Sequence, residues 1–372
     1  MRVLWFTWKD IKNPLAGGAE TVAHNLAKRL VKKGHKVTFL TAGFKNSSPE
    51  EKIEGYKIIR VGGRFSVYLK ASRYYKKNLA GQFDLVIEEV NTIPFFTQCF
   101  VKEKKRFLFF HQLCREIWFF QMFFPFSLIG YLFEPIYLWF MRKNKVITIS
   151  KSTKSDLLKY GFDPQNIEII SEGIELKPLE KYSAAAKFGQ KTMLSIGSIR
   201  DMKRPIDQLR AFEIAKSAIP SLKLKIAGGG SGPYFDSFIT QVKKSPFAND
   251  IEYLGRVSEE EKIGLMQKCH FVTVTSVKEG WGLIVTEANS QGTPALVYDI
   301  DGLRDSVKNG VTGYTTDKNS ALGLSKMIIK LCKLSDADYR ELCERALLDS
   351  RRYTFDISVE QFLEICTGGK NA

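Results

Sequence analysis

The 372-residue chain is poor in the features that mark several large protein classes. Its six cysteines (Cys99, Cys114, Cys269, Cys332, Cys343 and Cys366) form no C-x-x-C pair and no Cys/His cluster with zinc-ligand spacing. They read as reduced, packed thiols and point to a cytosolic setting. No secretory leader is expected, because Arg2 runs at once into Val3-Leu4-Trp5-Phe6-Thr7 and then into polar Lys9-Asp10. There is no repeat of solenoid period and no low-complexity tract. Helix-turn-helix, zinc and RNP-type aromatic patterns are missing too, which counts against a nucleic-acid-binding role. Acidic residues are the scarcer sign, 40 against 56 basic, for a net charge of +16. The imbalance is local: residues 1–178 hold 29 basic against 16 acidic, and the remainder 27 against 24. The first half is therefore the part that would attract an anionic surface, lipid or nucleic acid.

What is present is enough apolar sequence, 44%, for two domains with full cores. A first strand ends near Thr7, and a loop with Pro14, Gly17 and Gly18 follows. A helix over 19–33 is predicted from Val22, Leu26, Ala27 and Leu30 at helical spacing, capped by Gly34. The buried-strand run Val37–Thr41 completes a βαβ unit, and further strands are expected over 58–61, 85–87, 106–110 and 146–149. The chain turns irregular over 171–186, where a linker is placed. A second winding has strands at 193–196, 222–227, 251–254, 271–275 and 295–298. Both halves read as doubly wound parallel sheets, with ligand loops at the strand carboxyl ends.

The run Glu279-Gly280-Trp281-Gly282-Leu283-Ile284-Val285-Thr286-Glu287 reads as a glycine-bearing loop opening a helix. Glycine lets the backbone approach a diphosphate, and the N–H groups of Leu283 and Ile284 would face it with the positive end of the helix dipole. Carboxylates repel phosphate, so Glu287 would serve ribose hydroxyls and Glu279 the sugar beyond the phosphates. Taken alone, the same acids fit an ordinary helix start equally well.

With Ala288, Gly292, Thr293 and Pro294, this stretch resembles the E-x7-E signature of the family-4 retaining glycosyltransferases. The resemblance runs from Arg2 to about Val359 and is strongest in the second half. It takes in Gly17-Gly18-Ala19-Glu20, His111 after an apolar strand, Ser195-Ile196-Gly197 with Arg200 and Lys203, and Gly310-Val311-Thr312-Gly313. It implies an α/β GT-B fold: two Rossmann-like, doubly wound domains facing a central cleft. The expected parts are an acceptor-binding domain over 1–178, a nucleotide-sugar domain over 179–352 and a helix over 353–372 crossing back to the first domain.

The resemblance also distributes roles. Arg200 and Lys203 would stabilise charge on the departing diphosphate. The family usually has glycine after this lysine, where this chain has Arg204 and then Pro205. Gly17 and Gly18 would bring bare backbone to donor and acceptor, and Gly197 belongs to the same donor loop. His111 would hydrogen-bond a sugar hydroxyl, and main-chain groups near Arg256 and Val257 would meet the base. Glu279, His111, Arg200 and Lys203 are thus the catalytic candidates. Gly17, Gly18, Gly197, Arg256, Val257, Gly282, Leu283, Ile284 and Glu287 are the donor-binding ones. No metal or other cofactor is expected. Asp299-Ile300-Asp301 and Asp336-Ala337-Asp338 have the D-x-D spacing of a different glycosyltransferase fold and are set aside. So is Gly228–Pro233, where Pro233 replaces the third glycine of a dinucleotide loop.

The segment from Ile117 to Met141 is unusually aromatic; 14 aromatics fall between Phe107 and Phe140. Gln121, Ser127 and Glu134 interrupt it and Pro125 and Pro135 divide it, which argues against a bilayer span. Two readings stay open. One is a surface-lying insertion contacting an anionic membrane through Trp118, Phe119, Phe120, Phe123 and Phe124, flanked by Lys102, Lys104, Lys105, Arg106, Arg115, Arg142, Lys143 and Lys145. The other is a helix pair packed in the first domain. The reading of the whole is a retaining transferase moving a hexose from a UDP- or GDP-sugar to a lipid-linked or membrane-associated glycan acceptor at the inner face of the cell membrane. An epimerase or hydrolase on the same fold, or a nonenzymatic nucleic-acid binder, are the alternatives.

Overall fold

The computed structural model describes residues 1–103 and 105–368; Lys104 and 369–372 lie outside the described residues. The chain forms two compact units, Met1–Gly173 with Thr354–Ala372, and Ile174–Tyr353.

The first unit is built on an eight-stranded sheet. Its strands are β1 (Arg2–Phe6), β2 (Lys36–Thr41), β3 (Glu50–Ile53), β4 (Tyr56–Arg60), β5 (Leu85–Glu89), β6 (Arg106–Phe110), β7 (Lys145–Thr148) and β8 (Ile167–Ile169). The order is β3-β4-β2-β1-β5-β6-β7-β8. Val3 to Phe6 are fully buried, as a central parallel strand covered on both faces requires. The helix Gly18–Lys32 buries Val22, Ala23, Leu26, Ala27 and Leu30, and Gly34 ends it with φ +84. The strand order turns back between the parallel β1 and β5, so the crevice at their carboxyl ends is this unit's switch point. The helix Phe355–Thr367 belongs to this unit: Phe362 stacks on Trp5 at 5.8 Å and Asp356 pairs with Arg29 at 2.8 Å.

The sheet is not wholly parallel, contrary to expectation. β3 pairs antiparallel with β4 through a turn at Glu54 and Gly55, both at positive φ. Its sequence, Glu50-Glu51-Lys52-Ile53, carries no apolar run because it is a charged edge strand.

The second unit has a six-stranded, all-parallel sheet: β9 (Thr192–Ile196), β10 (Lys223–Ala227), β11 (Ile251–Gly255), β12 (Phe271–Val274), β13 (Ala295–Val297) and β14 (Gly313–Thr315). The order β11-β10-β9-β12-β13-β14 puts its switch point between β9 and β12. One core lies around Phe212, Phe238, Leu296, Tyr298 and Ile328, and another around Leu194, Val272, Val285, Val297 and Leu303.

The aromatic segment divides both sequence readings. A short helix, Trp118–Gln121, is followed by the helix Phe126–Met141. No helix among the described residues is long and apolar enough to cross a membrane. Trp118, expected as a membrane contact, is a core residue at 6% exposure. Its indole donates to Glu134 at 3.0 Å, and its ring lies where a Cβ on Gly130 would fall at 2.4 Å. Glu134 also accepts the Cys114 and Arg115 N–H groups at 2.7 and 2.6 Å, and burial raises its carboxyl above the ordinary range against those bonds. Phe119, Phe120, Phe123 and Phe124 are exposed, with Phe126, Ile129, Leu132, Phe133, Ile136, Trp139 and Phe140. The long helix is therefore two-sided: Ser127, Glu134, Tyr137, Leu138 and Met141 face inward, and Phe126, Phe133, Trp139 and Phe140 face outward.

Trp118→Ala should destabilise the protein by about 3–5 kcal/mol, because it removes a buried indole and leaves a buried carboxylate short of a donor. Phe123→Ser and Phe124→Ser should stay within about 0.5 kcal/mol. Urea denaturation of the variants checks both; equal losses at Trp118 and Phe124 would contradict this division into buried and exposed aromatics.

Candidate functional site

In the second unit, Gly197, Arg200, Lys203, Glu279, Gly282 and Glu287 all follow β9 or β12, the two strands of the switch point. The sequence explains how these loops are joined. β12 runs into Thr275, whose hydroxyl donates to the Lys203 and Arg204 carbonyls at 2.9 and 3.0 Å. Gln208 ties the same hydroxyl to Thr273. Val277 N–H adds a bond to the Met202 carbonyl at 2.8 Å. The short turn Asp201–Lys203 is thereby fixed beside the loop that carries Glu279.

The result is a direct contact between Lys203 and Glu279, whose carboxylate also accepts from Ser276 Oγ at 2.6 Å. Arg200 is exposed and braced by Ser198 Oγ at 3.0 Å. Arg204 stands at φ +48, the conformation for which glycine is favoured at this position, and Pro205 then opens the helix Pro205–Ala218.

Gly282, at φ +106, precedes the helix Leu283–Ser290. Trp281 is a structural member of this loop, buried, bonded to Thr286 at 2.8 Å and packed on Tyr353. Glu287 is recessed and does not touch the Lys203–Glu279 pair; its partner is Lys262, at 3.3 Å, from the helix Glu259–Lys268. Burial raises the Glu287 carboxyl, and Lys262 opposes the rise. Sequence reasoning missed Lys262, since no motif marks a lysine four residues into a helix after β11. Arg256 and Val257 follow β11 on the same edge, and Arg256 covers Gly229, where a Cβ would meet its side chain at 2.7 Å.

In the first unit, Gly17, Gly18 and His111 lie at the carboxyl edge of its own sheet. Gly17, expected to bring bare backbone to donor and acceptor, gives its N–H to Glu20 at 2.6 Å in a capping box, so any such contact would come from its other backbone atoms. Glu20 in turn pairs with Lys9 at 3.2 Å, and burial raises its carboxyl against that pairing. His111 is buried and bonded to Glu89 at 2.9 Å. Asp299 and Asp301, set aside as a D-x-D, are both engaged by Arg304, at 2.6 and 3.2 Å.

Two parallel-sheet units with loops of this kind at their carboxyl edges define a GT-B glycosyltransferase architecture. Family models agree, with "Glycosyltransferase Family 4" matching 16–177 and "Glycosyl transferases group 1" matching 179–346. The chain belongs to the family-4 glycosyltransferases of GT-B fold. Among curated relatives, D-inositol 3-phosphate glycosyltransferase of Rhodococcus jostii is 29% identical over 170 residues, 42% of this chain. The match spans only 38% of that relative's length. Sucrose-phosphate synthase from Thermosynechococcus elongatus superposes with a TM-score of 0.79 over 99% of this chain and 98% of its own, at 16% identity. Anabaena HepE in complex with UDP and glucose gives 0.72 over 99% and 100%, at 14% identity.

The close approach of two loops sets a measurable constraint. A Cβ on Gly228 would fall 1.8 Å from the Gly197 carbonyl oxygen, so Gly228→Ala should cost about 3 kcal/mol or more. At Gly17 the nearest atom is 3.8 Å away and φ is negative, so Gly17→Ala should change stability by less than about 0.5 kcal/mol. Thermal denaturation of the two variants compares them; a neutral Gly228→Ala would show that the loops do not approach as described.

Proposed function

We propose that the protein is a retaining glycosyltransferase that moves a hexose from a UDP- or GDP-sugar to a glycan or lipid-linked acceptor at a membrane surface. The observation that carries this is the Lys203–Glu279 contact, held by Thr275 and Ser276 beside the N-terminus of the Leu283–Ser290 helix. A cation and sugar-binding acid in contact at a helix start suit a ligand that is anionic at one end and hydroxylated at the other. HepE, of the same fold, has been seen with UDP and glucose.

In this reading the Leu283 and Ile284 N–H groups and Arg200 receive the diphosphate. Lys203, with three donors, bridges it to Glu279. Breaking the sugar–phosphate bond moves negative charge onto the phosphate oxygen, which fixed cations stabilise more than the ground state. These side chains supply the charge that a metal ion supplies elsewhere, so the reaction is assigned to the protein alone. Glu287, oriented by Lys262, accepts from the ribose. Main chain near Arg256 and Val257 meets the base, and His111 holds a hydroxyl of the transferred sugar. Gly17 and Gly18 give the acceptor close access to backbone, without the Gly17 N–H as a phosphate donor.

The membrane part of the proposal rests on the exposed aromatic face of the helix Phe126–Met141. Phe119, Phe120, Phe123 and Phe124 continue the exposed face of Phe126–Met141, and exposed Lys102, Lys105, Lys143 and Lys145 belong to the same unit. A contiguous apolar face with basic residues fits the boundary of an anionic leaflet better than bare water or nucleic acid. The site of action would then be the cytoplasmic face of the cell membrane.

Arg200→Ala and Lys203→Ala should each lower turnover by about 10²-fold or more in a radiolabelled sugar-transfer assay. A loss of only a few-fold would count against charge stabilisation at the leaving group. A thermal-shift series with UDP, GDP and ADP identifies the base, and products formed with and without acceptor separate transfer from hydrolysis or epimerisation. Replacing Phe123, Phe124 and Trp139 by serine should abolish sedimentation with anionic liposomes while leaving the nucleotide shift unchanged. Undiminished sedimentation would dismiss the aromatic face as the anchor.

A further inference from the structure

Resting on the reading in which His111 meets the transferred sugar, we propose that Glu89 is a positioning residue that fixes the orientation and tautomer of His111 and leaves Nδ1 as its working nitrogen. No motif in the sequence marks Glu89. It is the last residue of β5, 1% exposed, at the carboxyl edge of the first unit's switch point. Its two oxygens have separate partners. Oε1 accepts from His111 Nε2 at 2.9 Å, with Asn91 Nδ2 at 3.5 Å, and Oε2 accepts from Trp5 Nε1 at 3.2 Å. A carboxylate held at both ends cannot turn.

His111 is equally constrained. Its carbonyl accepts from Thr153 Oγ1 at 3.0 Å, and its ring packs on Phe109 with centroids 4.8 Å apart. An ionised carboxylate is an acceptor only, so the hydrogen between the two residues belongs to Nε2. Nδ1 is then left as an acceptor in the neutral ring and a donor in the imidazolium, and the imidazolium, donating Nδ1–H to a sugar hydroxyl, is the working form in this proposal. A buried carboxylate is costly without such a donor, which gives the pairing a reason of its own.

The charged groups around the ring are mostly acidic: Glu89 from β5, Glu20 from the helix Gly18–Lys32 and Glu172 after β8, with Lys9 paired to Glu20. Burial by itself would lower the imidazole. The bond and charge of Glu89, then the fields of Glu172 and Glu20, outweigh it and hold His111 above its ordinary value. A raised value keeps the ring protonated to higher pH, and that protection is lost as pH rises through the folded-state value.

The test is long-range proton–nitrogen NMR of the imidazoles in the full chain. There are four histidines, and His111 is identified by the signal lost in His111→Gln. Above its midpoint, native His111 should show hydrogen on Nε2 and a bare Nδ1. Glu89→Gln, which keeps size and an acceptor but removes the charge, should lower the midpoint by about one pH unit or more. In turnover of UDP-glucose or GDP-mannose, whichever the protein accepts, Glu89→Gln should move the alkaline limb of kcat down by the same interval, with KM for the donor little changed. A native Nδ1–H tautomer overturns the proposal even if no variant folds, and so does an unmoved midpoint in folded Glu89→Gln. If the tautomer is as expected but His111→Gln turns over nucleotide sugar like the native protein, the placing of His111 at the sugar fails and the pairing stands.

Discussion

The second unit depends on how Thr275 joins two loops that the sequence keeps more than 70 residues apart. Its hydroxyl reaches two consecutive carbonyls, Lys203 and Arg204, at the place where the β9 loop turns into a helix. That hydroxyl, with Val277 N–H on the Met202 carbonyl, supports the αL residue Arg204 and the turn that brings Lys203 to Glu279. The Lys203–Glu279 contact is therefore a property of a packed junction. In the proposed reaction the cations would act from a backbone pinned before any ligand arrives, which is the condition for electrostatic stabilisation without reorganisation.

The first unit shows the same economy with acids. Glu20, Glu89 and Glu134 are each buried, and each faces N–H groups or a cation: Glu20 the Gly17 N–H and Lys9, Glu89 the Trp5 indole and His111, Glu134 two backbone N–H groups and the Trp118 indole. Because such an acid is costly when left short of donors, each fixes the geometry of a neighbouring loop. Glu134 is the instructive case. It draws Trp118 inward and lies on the buried side of Phe126–Met141 with Tyr137, Leu138 and Met141, while Phe126, Phe133, Trp139 and Phe140 face out.

Much of the fold was legible along the chain. Apolar runs marked β1, β2 and β4 to β7, and β9 to β13 in the second unit, because the inner parallel strands are covered on both faces, even where β5 ends in buried Glu88 and Glu89. The edge strands β3, β8 and β14 were not visible: the first is charged, and the other two have three residues each and sit at a sheet margin where burial does not select apolar residues on both faces. The site residues taken from motif spacing do collect at the carboxyl edges of their own sheets. Their partners were not legible. Lys262, Glu89 and Thr275 belong to no local pattern, since each is chosen by a residue that arrives from another strand.

The amino-acid order by itself determined which segments become strands and helices, where the glycines must stand and which end of each sheet carries polar chemistry, because those follow from local periodicity and backbone sterics. Tertiary structure alone decided that Gly17 spends its N–H on Glu20, that Trp118 is core while Phe123 is surface, and that Glu287 answers to Lys262. Hydrogen-bond partners and burial depend on what lies across space, and a linear pattern of apolar and polar residues carries no term for that.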